Sequence, residues 1–335
     1  WSPENVAREL ARSNGLKPLA EAASVLPSND ALLAAAMARL PTVLGFSAER
    51  GETRKLPPAR APFAFGGDDP KLFVPAFPGA VGGVPVLSEA AKGIGAVNWL
   101  PESDQIVRRV PLLISAGGEL YPSLALETLR IASGDRSTIH VRSSGASGIL
   151  AFGQQPGLDS IRVGETLLPS DERGELWLKF APPDPKRYLS ARDVLAGKAA
   201  KDEIAGRHIF IGSSATGLMD LRATPLTPSL PGVEIHAQAL EQMLSGDHLV
   251  RPSWATGAEI VFILIAGAMA AWLIRRSGAI AAAVASAAAA GLVTVFSKAS
   301  YANAGLLIDP VYPTLALLAV YLTGSLSSFI RSETD

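Results

Sequence analysis

With 335 residues, the chain is long enough for more than one domain, and its 18% charged residues fall below the roughly 25% of soluble globular proteins, which points towards lipid. The 31 acidic and 30 basic residues leave a net charge of -1 with no Lys/Arg run, so a nucleic-acid partner, which needs a basic face to displace counterions, is excluded. The absence of cysteine excludes disulfides and thiolate metal sites, and leaves the compartment to be read from membrane topology.

In chain order, Ser28-Asn29-Asp30 reads as a helix cap before ALLAAAMARL, and Pro41 ends that helix so that TVLGF enters a buried strand. Pro and Gly crowd residues 57–85, which read as a long loop or lid with a few short extended pieces. Strands are expected at 93–98 and 105–114, and an amphipathic helix at 121–132 with Leu124, Leu126, Leu129 and Ile131 on its apolar side. Extended segments follow at 139–141, 161–168 and 176–180, with a short helix at 191–195. Residues 207–212 read as a central strand leaving into a glycine turn, and 233–244 as a final helix. The order of strands and helices implies an α/β domain with a mixed sheet.

Three apolar stretches close the sequence, at 255–274, 279–296 and 306–330, each of about the length that crosses a bilayer. Glu259 is the only charge in the first. Basic residues of short loops stay on the cytoplasmic side, so Arg275, Arg276 and Arg331 are expected inside, and everything before Trp254 outside. Asp309 before Pro310 suits a helix start; an ion site is the other reading of an Asp there, and its place at the outer boundary favours the cap. Gly324, Ser325, Ser327 and Ser328 put small residues at helical spacing, as close helix packing or dimerisation requires. The organisation expected is therefore an outer domain over 1–252, a membrane region over 253–331, and at 332–335 the start of a cytoplasmic effector. A first anchor helix is expected before Trp1.

The local motifs are Gly93-Ile-Gly95 to Asn98, Asp104 with Val107-Arg-Arg-Val-Pro111, Tyr121-Pro-Ser-Leu-Ala125 and Ala191-Arg-Asp-Val-Leu-Ala-Gly197. To these add His208-Ile-Phe-Ile-Gly212, Asp220 with Thr224-Pro225, and Pro231-Gly-Val-Glu-Ile-His-Ala237. Together with three closing spans they resemble the second type of CHASE domain, an extracellular sensory module of bacterial receptors. The resemblance implies a sensor in the bacterial inner membrane, its amino-terminal domain in the periplasm or outside, regulating a cytoplasmic effector. A class III adenylate or guanylate cyclase is favoured; a histidine or Ser/Thr kinase, or a stand-alone membrane-anchored binding or transport protein, is the alternative. Such a cyclase forms its site from two catalytic domains, which implies a homodimer. The expected partners are the lipid bilayer and an extracytoplasmic ligand or protein. No cofactor is expected.

Chemistry-bearing groups are sparse. Gly212 to Gly217 lacks the Lys-Ser/Thr ending of a phosphate loop, Gly93-x-Gly95 lacks the third glycine of a dinucleotide fingerprint, and no Gly-x-Ser-x-Gly elbow occurs. The four histidines show no metal-ligand spacing, so neither a catalytic nor a metal site is expected. Asp104, Arg108 and Arg109 form one charged group and Asp220 and Arg222 another; Arg with Asp can clamp a carboxylate ligand, but a structural ion pair is the simpler assignment. His236, in the helix that leads towards the membrane, is a candidate pH-sensitive residue, set against a capped or solvent-facing role.

Overall fold

A computed structural model of the chain describes residues 3–12, 16–51, 55–134, 137–147, 156–213 and 220–334. It has two compact units, one built from 1–142 with 158–246 and the other from 143–157 with 247–335.

The first unit opens with α1 (Pro3–Ala11), α2 (Lys17–Ser24) and α3 (Asn29–Met37), the last capped by Ser28, whose Oγ accepts the Ala31 N–H at 3.3 Å. There follow β1 (Val43–Glu49), β2 (Phe63–Gly66), β3 (Ala76–Phe77), β4 (Gly79–Val81), α4 (Pro85–Ala90) and β5 (Gly93–Ala96). The Pro/Gly-rich stretch is not a lid: β2 pairs parallel to β9 (Ile139–Ser143), and β4 pairs antiparallel to β1, whose other edge takes β5 in parallel. Mixed pairing of this kind is the α/β character expected.

The single strand expected at 105–114 is two strands, β6 (Arg109–Pro111) and β7 (Leu113–Ala116). Between them the Leu112 N–H donates to Gly174 O, and the chain passes from one sheet to another: β6 pairs with β12 (Glu175–Trp177), while β7 lies between β3 and β8 (Glu119–Pro122). The next helix, α5 (Leu124–Ala132), begins three residues later than its apolar pattern suggests, because Tyr121 and Pro122 belong to β8 and Ser123 is the cap, accepting the Leu126 N–H. β10 (Leu158–Val163) and β11 (Thr166–Pro169) form a hairpin on Gly164 at φ +57°. After β12 come α6 (Ala191–Leu195), α7 (Lys201–Ile204), the short pair β13 (Leu221–Arg222) and β14 (Leu230–Pro231), and α8 (Gly232–Ser245), ended by Gly246 in the left-handed region.

Residues 207–212 are not a central strand. Phe210 packs on the core, but Ile209 points out and Ile211 is 93% exposed, so the apolar run has no neighbouring strand and no cover on its second face. The core lies instead among β6, β7, β9 to β12, α5 and α8, where Leu112, Leu126, Ile161, Leu176 and Ile235 are fully buried. Each contributes roughly 1.5–3 kcal/mol by leaving water.

In the second unit, α9 (Ala255–Ser277) and α10 (Ala279–Ala304) are long and apolar enough to cross a membrane, and α11 (Val311–Thr334) carries an apolar stretch over Val311–Ser327. Gly278 alone, at φ +88°, turns α9 into α10. The middle helix runs on past Phe296 to Ala304. Asp309 acts as the cap, its Oδ1 accepting the Val311 N–H at 2.7 Å. Gly324 is used for packing within the chain, since a Cβ there would sit 2.6 Å from Ile274 Cδ1 of α9.

Candidate functional site

The charged groups singled out in the sequence fall in three places: Arg108 with Asp104, Arg109 against β12, and Asp220, Arg222 and His236 around Trp99 at the start of α8. Arg108 donates both terminal nitrogens to Asp104, at 3.0 and 2.7 Å, and also to Glu102 at 3.0 Å. Hydrogen bonding by Arg108 holds the Asp104 carboxyl below its ordinary range. This pair is filled by its own loop, which is the structural assignment.

Arg109 points elsewhere. Its Nη1 reaches Asp171 Oδ2 at 2.8 Å and Glu175 Oε2 at 3.2 Å, its Nε lies 3.4 Å from Glu102 Oε1, and its guanidinium sits 4.7 Å over the Trp177 ring. Glu175 is buried, and burial pushes its carboxyl up to about 7; the Asp171 charge adds to the rise and Arg109 opposes it. Glu175 and Asp171 did not stand out in the sequence, because only the pairing of β6 with β12 brings them to Arg109; Glu102, the third carboxylate, comes from the loop just before β6.

Asp220 and Arg222 are brought to His236 of α8 by Trp99, from a loop more than a hundred residues earlier. The Arg222 guanidinium lies 5.0 Å over the Trp99 ring, and the His236 ring is 5.5 Å away on it. The first residue of α8 donates its N–H to Asp220 O at 2.8 Å, and a Cβ on Gly232 would strike both the Asp220 carboxylate and Trp99. Only glycine admits that approach. Burial raises the Asp220 carboxyl, with Arg222 opposing. His236 is not solvent-facing: it is 1% exposed, its Nε2 lies 3.4 Å from Val97 O, and burial lowers it to about 4, so it is neutral at neutral pH. The segment holding Asp220 is joined to the Arg108 strand, since Val107 N–H donates to Ala223 O at 2.9 Å. The glycine turn expected after 212 falls, from residue 214 to 217, outside the described residues.

The feature that sequence reading missed is a polar stripe on α8. Glu234, Gln238 and Gln242 recur one turn apart and are all buried. Gln242 donates to Trp177 O at 2.7 Å and accepts the Lys179 N–H at 2.8 Å; Gln238 accepts the Ala181 N–H at 3.0 Å and donates to Glu234 at 2.9 Å. Glu234 also holds Tyr188 Oη and the Arg187 guanidinium. The side-chain amides thus replace a neighbouring strand for the extended chain at 177–181, and tie it to α8. Spacing alone gave no signal of it, because a polar stripe at i, i+4 and i+8 ordinarily reads as the solvent face of an amphipathic helix.

Other sequence features have structural work. A Cβ on Gly95 would meet the Leu124 backbone at 2.6 Å, so the 93–95 glycines let α5 approach β5. Asn98 exchanges two 2.8 Å hydrogen bonds with the Ala48 backbone, and Tyr121 donates to Pro57 O at 2.8 Å. Arg130 and Glu127 form an ion pair at 2.6 Å that is 1% and 0% exposed. Among the described residues, no three His, Cys, Asp or Glu side chains converge to hold a metal ion.

In the second unit, the stretch that precedes α9 is tied to the turn between α10 and α11. Val250 N–H donates to Gly305 O at 2.9 Å and Val250 O accepts the Leu307 N–H at 2.8 Å. Arg251 donates to both oxygens of Glu259, at 3.2 and 2.8 Å, and to Leu307 O, while Glu259 accepts the Asp309 N–H at 2.9 Å. The one charge within the first apolar stretch is therefore paired.

The chain was compared with protein families, curated proteins and solved structures. The family profile described as "CHASE2 domain" matches residues 4–272, from α1 through most of α9. No curated protein and no solved structure matches.

Proposed function

Because the chain belongs to the CHASE2 domain family of extracellular sensor domains, we propose that it is the sensor region of a membrane receptor, its first unit outside the cytoplasm and α9, α10 and α11 spanning the bilayer. The observation that carries this reading is the reach of the family match, which takes in the first unit and continues into an apolar helix long enough to cross a membrane. The family is a sensor family without catalytic function. The effector we propose is a class III nucleotide cyclase following α11, working as a homodimer in the inner membrane. A kinase effector would use the same transmission.

The route runs through α8. A signal acts only by favouring one of two arrangements unequally, and a 1:99 population becomes 99:1 with about 5.5 kcal/mol of preference. Release of α8 from the 177–181 segment, held by Gln238 and Gln242, provides two such arrangements. Chain continuity from α8 through Asp247 to Trp254 passes the change to α9. The bonds from Val250 and Arg251 to the α10–α11 turn then pass it to the other two helices.

To test this, the chain is fused through Asp335 to a class III catalytic domain, and cyclic-nucleotide synthesis is measured in membranes with and without Gln242→Ala. A several-fold change in output is expected. Equal output from both would refute transmission through α8.

A further inference from the structure

We propose that Glu175 is a proton-binding switch, in which protonation releases Arg109 from Glu175 to Glu102 and thereby alters the hold of the 177–181 segment on α8; that the proton is a stimulus of the receptor rests on the reading above.

Three carboxylates, Asp171, Glu175 and Glu102, surround the Arg109 guanidinium, so its one charge is shared among them. Asp171 is fully engaged: its Oδ1 accepts the N–H groups of Arg173 and Glu175, at 3.0 and 2.9 Å, and its Oδ2 takes Arg109 Nη1. Glu175, with its side chain 3% exposed, shares that same nitrogen at the longer distance of 3.2 Å. On the other side, Arg109 Nε and Glu102 Oε1 face each other at 3.4 Å, and both are buried without a hydrogen bond. The Glu102 pairing is thus already present as an ion pair, but a long one without a hydrogen bond, and has room to tighten when Arg109 leaves Glu175.

The charges around Glu175 are Asp171, Glu172 and Arg173 in the preceding turn, and Arg109 on β6 with Glu102 behind it. From α8, the side chain bonded to β12 is the uncharged Gln242. Burial and the Asp171 charge place the Glu175 carboxyl near 7, so it takes one proton from solvent in the neutral range, becoming a neutral acid with no other bond made or broken. His236, lowered to about 4, does not titrate there. The link to α8 is Trp177, two residues along the same strand. Arg109 lies over its ring and Gln242 holds its carbonyl, so a shift of Arg109 acts on a residue that the α8 stripe grips.

The test is amide hydrogen exchange of 177–181 in the full chain in detergent, corrected for intrinsic rates, at about pH 5.5 and about pH 8.5. Protection is expected to differ about tenfold between the two, and Glu175→Gln to hold it at the acid value at both. Asp171→Asn, which keeps the oxygen that accepts the two N–H groups but removes the neighbouring charge, is expected to move the midpoint to lower pH, and serves if Glu175→Gln fails to fold. Wild-type protection independent of pH, or a pH response that survives Glu175→Gln, overturns the switch. In the cyclase fusion, a pH-insensitive output beside titrating amides would uphold the switch and count against its transmission through α8, the step taken from the reading above.

Discussion

Truncating Gln242 tests the role of the polar stripe most cleanly. Gln242→Ala deletes two hydrogen bonds, to Trp177 O at 2.7 Å and from Lys179 N–H at 2.8 Å, at a site where the side chain is buried. The strand partner of Trp177 is Arg109 of β6, so the Gln242 bond is made from the side of β12 that carries no strand. Leaving a buried donor or acceptor unpaired costs about 1–3 kcal/mol each, so the segment should loosen by about 2–6 kcal/mol. At roughly 1.4 kcal/mol per tenfold, exchange of the 177–181 amides should accelerate at least about 30-fold in the full chain. Gln242→Met keeps the volume without the polar atoms and should give most of the same acceleration. An effect within about 0.5 kcal/mol, the range of ordinary surface changes, would refute the clamp.

Acidification provides a second test. The folded-state value of His236 is depressed from 6.5 to about 4, so the stability it contributes is fully present above about pH 6.5 and is lost as pH falls towards 4, by up to about 3 kcal/mol. Glu175 is raised from 4.5 to about 7, so its contribution runs the other way, being present below about 4.5 and lost as pH rises through 7. The two slopes oppose each other between about pH 4.5 and 6.5. Urea titrations of the full chain should therefore be nearly flat there for the wild type and fall with rising pH for His236→Phe; unchanged pH dependence in that variant would contradict the burial of a neutral histidine. In the second unit, Val250 and Leu306 are partners across a β-bridge, and the chain has no cysteine. V250C with L306C should oxidise to a disulfide within one chain, since bridge partners lie within the roughly 4.4–6.8 Å that a disulfide spans. Two thiols that stay open to maleimide would show that the α10–α11 turn is not held there.

How much was legible depended on range. Local chemistry was read directly: Ser28 as a cap, Asp309 before Pro310 as a helix start, and the short helix over 191–195. Partners that depend on strand pairing were not. Arg109 was seen beside Asp104, its neighbour in sequence, yet it turns to Asp171 and Glu175, which β12 delivers from sixty residues away. Arg207 to Gly212 has the composition of a central strand, but composition does not supply a neighbour, and its isoleucines remain outside the core. His236 was noticed for the right reason, its place in α8, and misjudged in its surroundings, because the burying ring is Trp99, on a distant loop. The stripe of Glu234, Gln238 and Gln242 has the spacing of a solvent face, and only the 177–181 segment packed on it makes it a buried one.

Transmission from outside to inside requires the first unit to lie outside the cytoplasm while the turn between α9 and α10 lies inside. Single cysteines at Leu195, exposed on α6, and at Ser277, in the last turn of α9, can be placed in a chain that has none. With a membrane-impermeant maleimide applied to spheroplasts, L195C should label in intact cells and S277C only after lysis. Labelling of S277C in intact cells, with L195C protected until lysis, would contradict the receptor topology on which the proposed transmission depends.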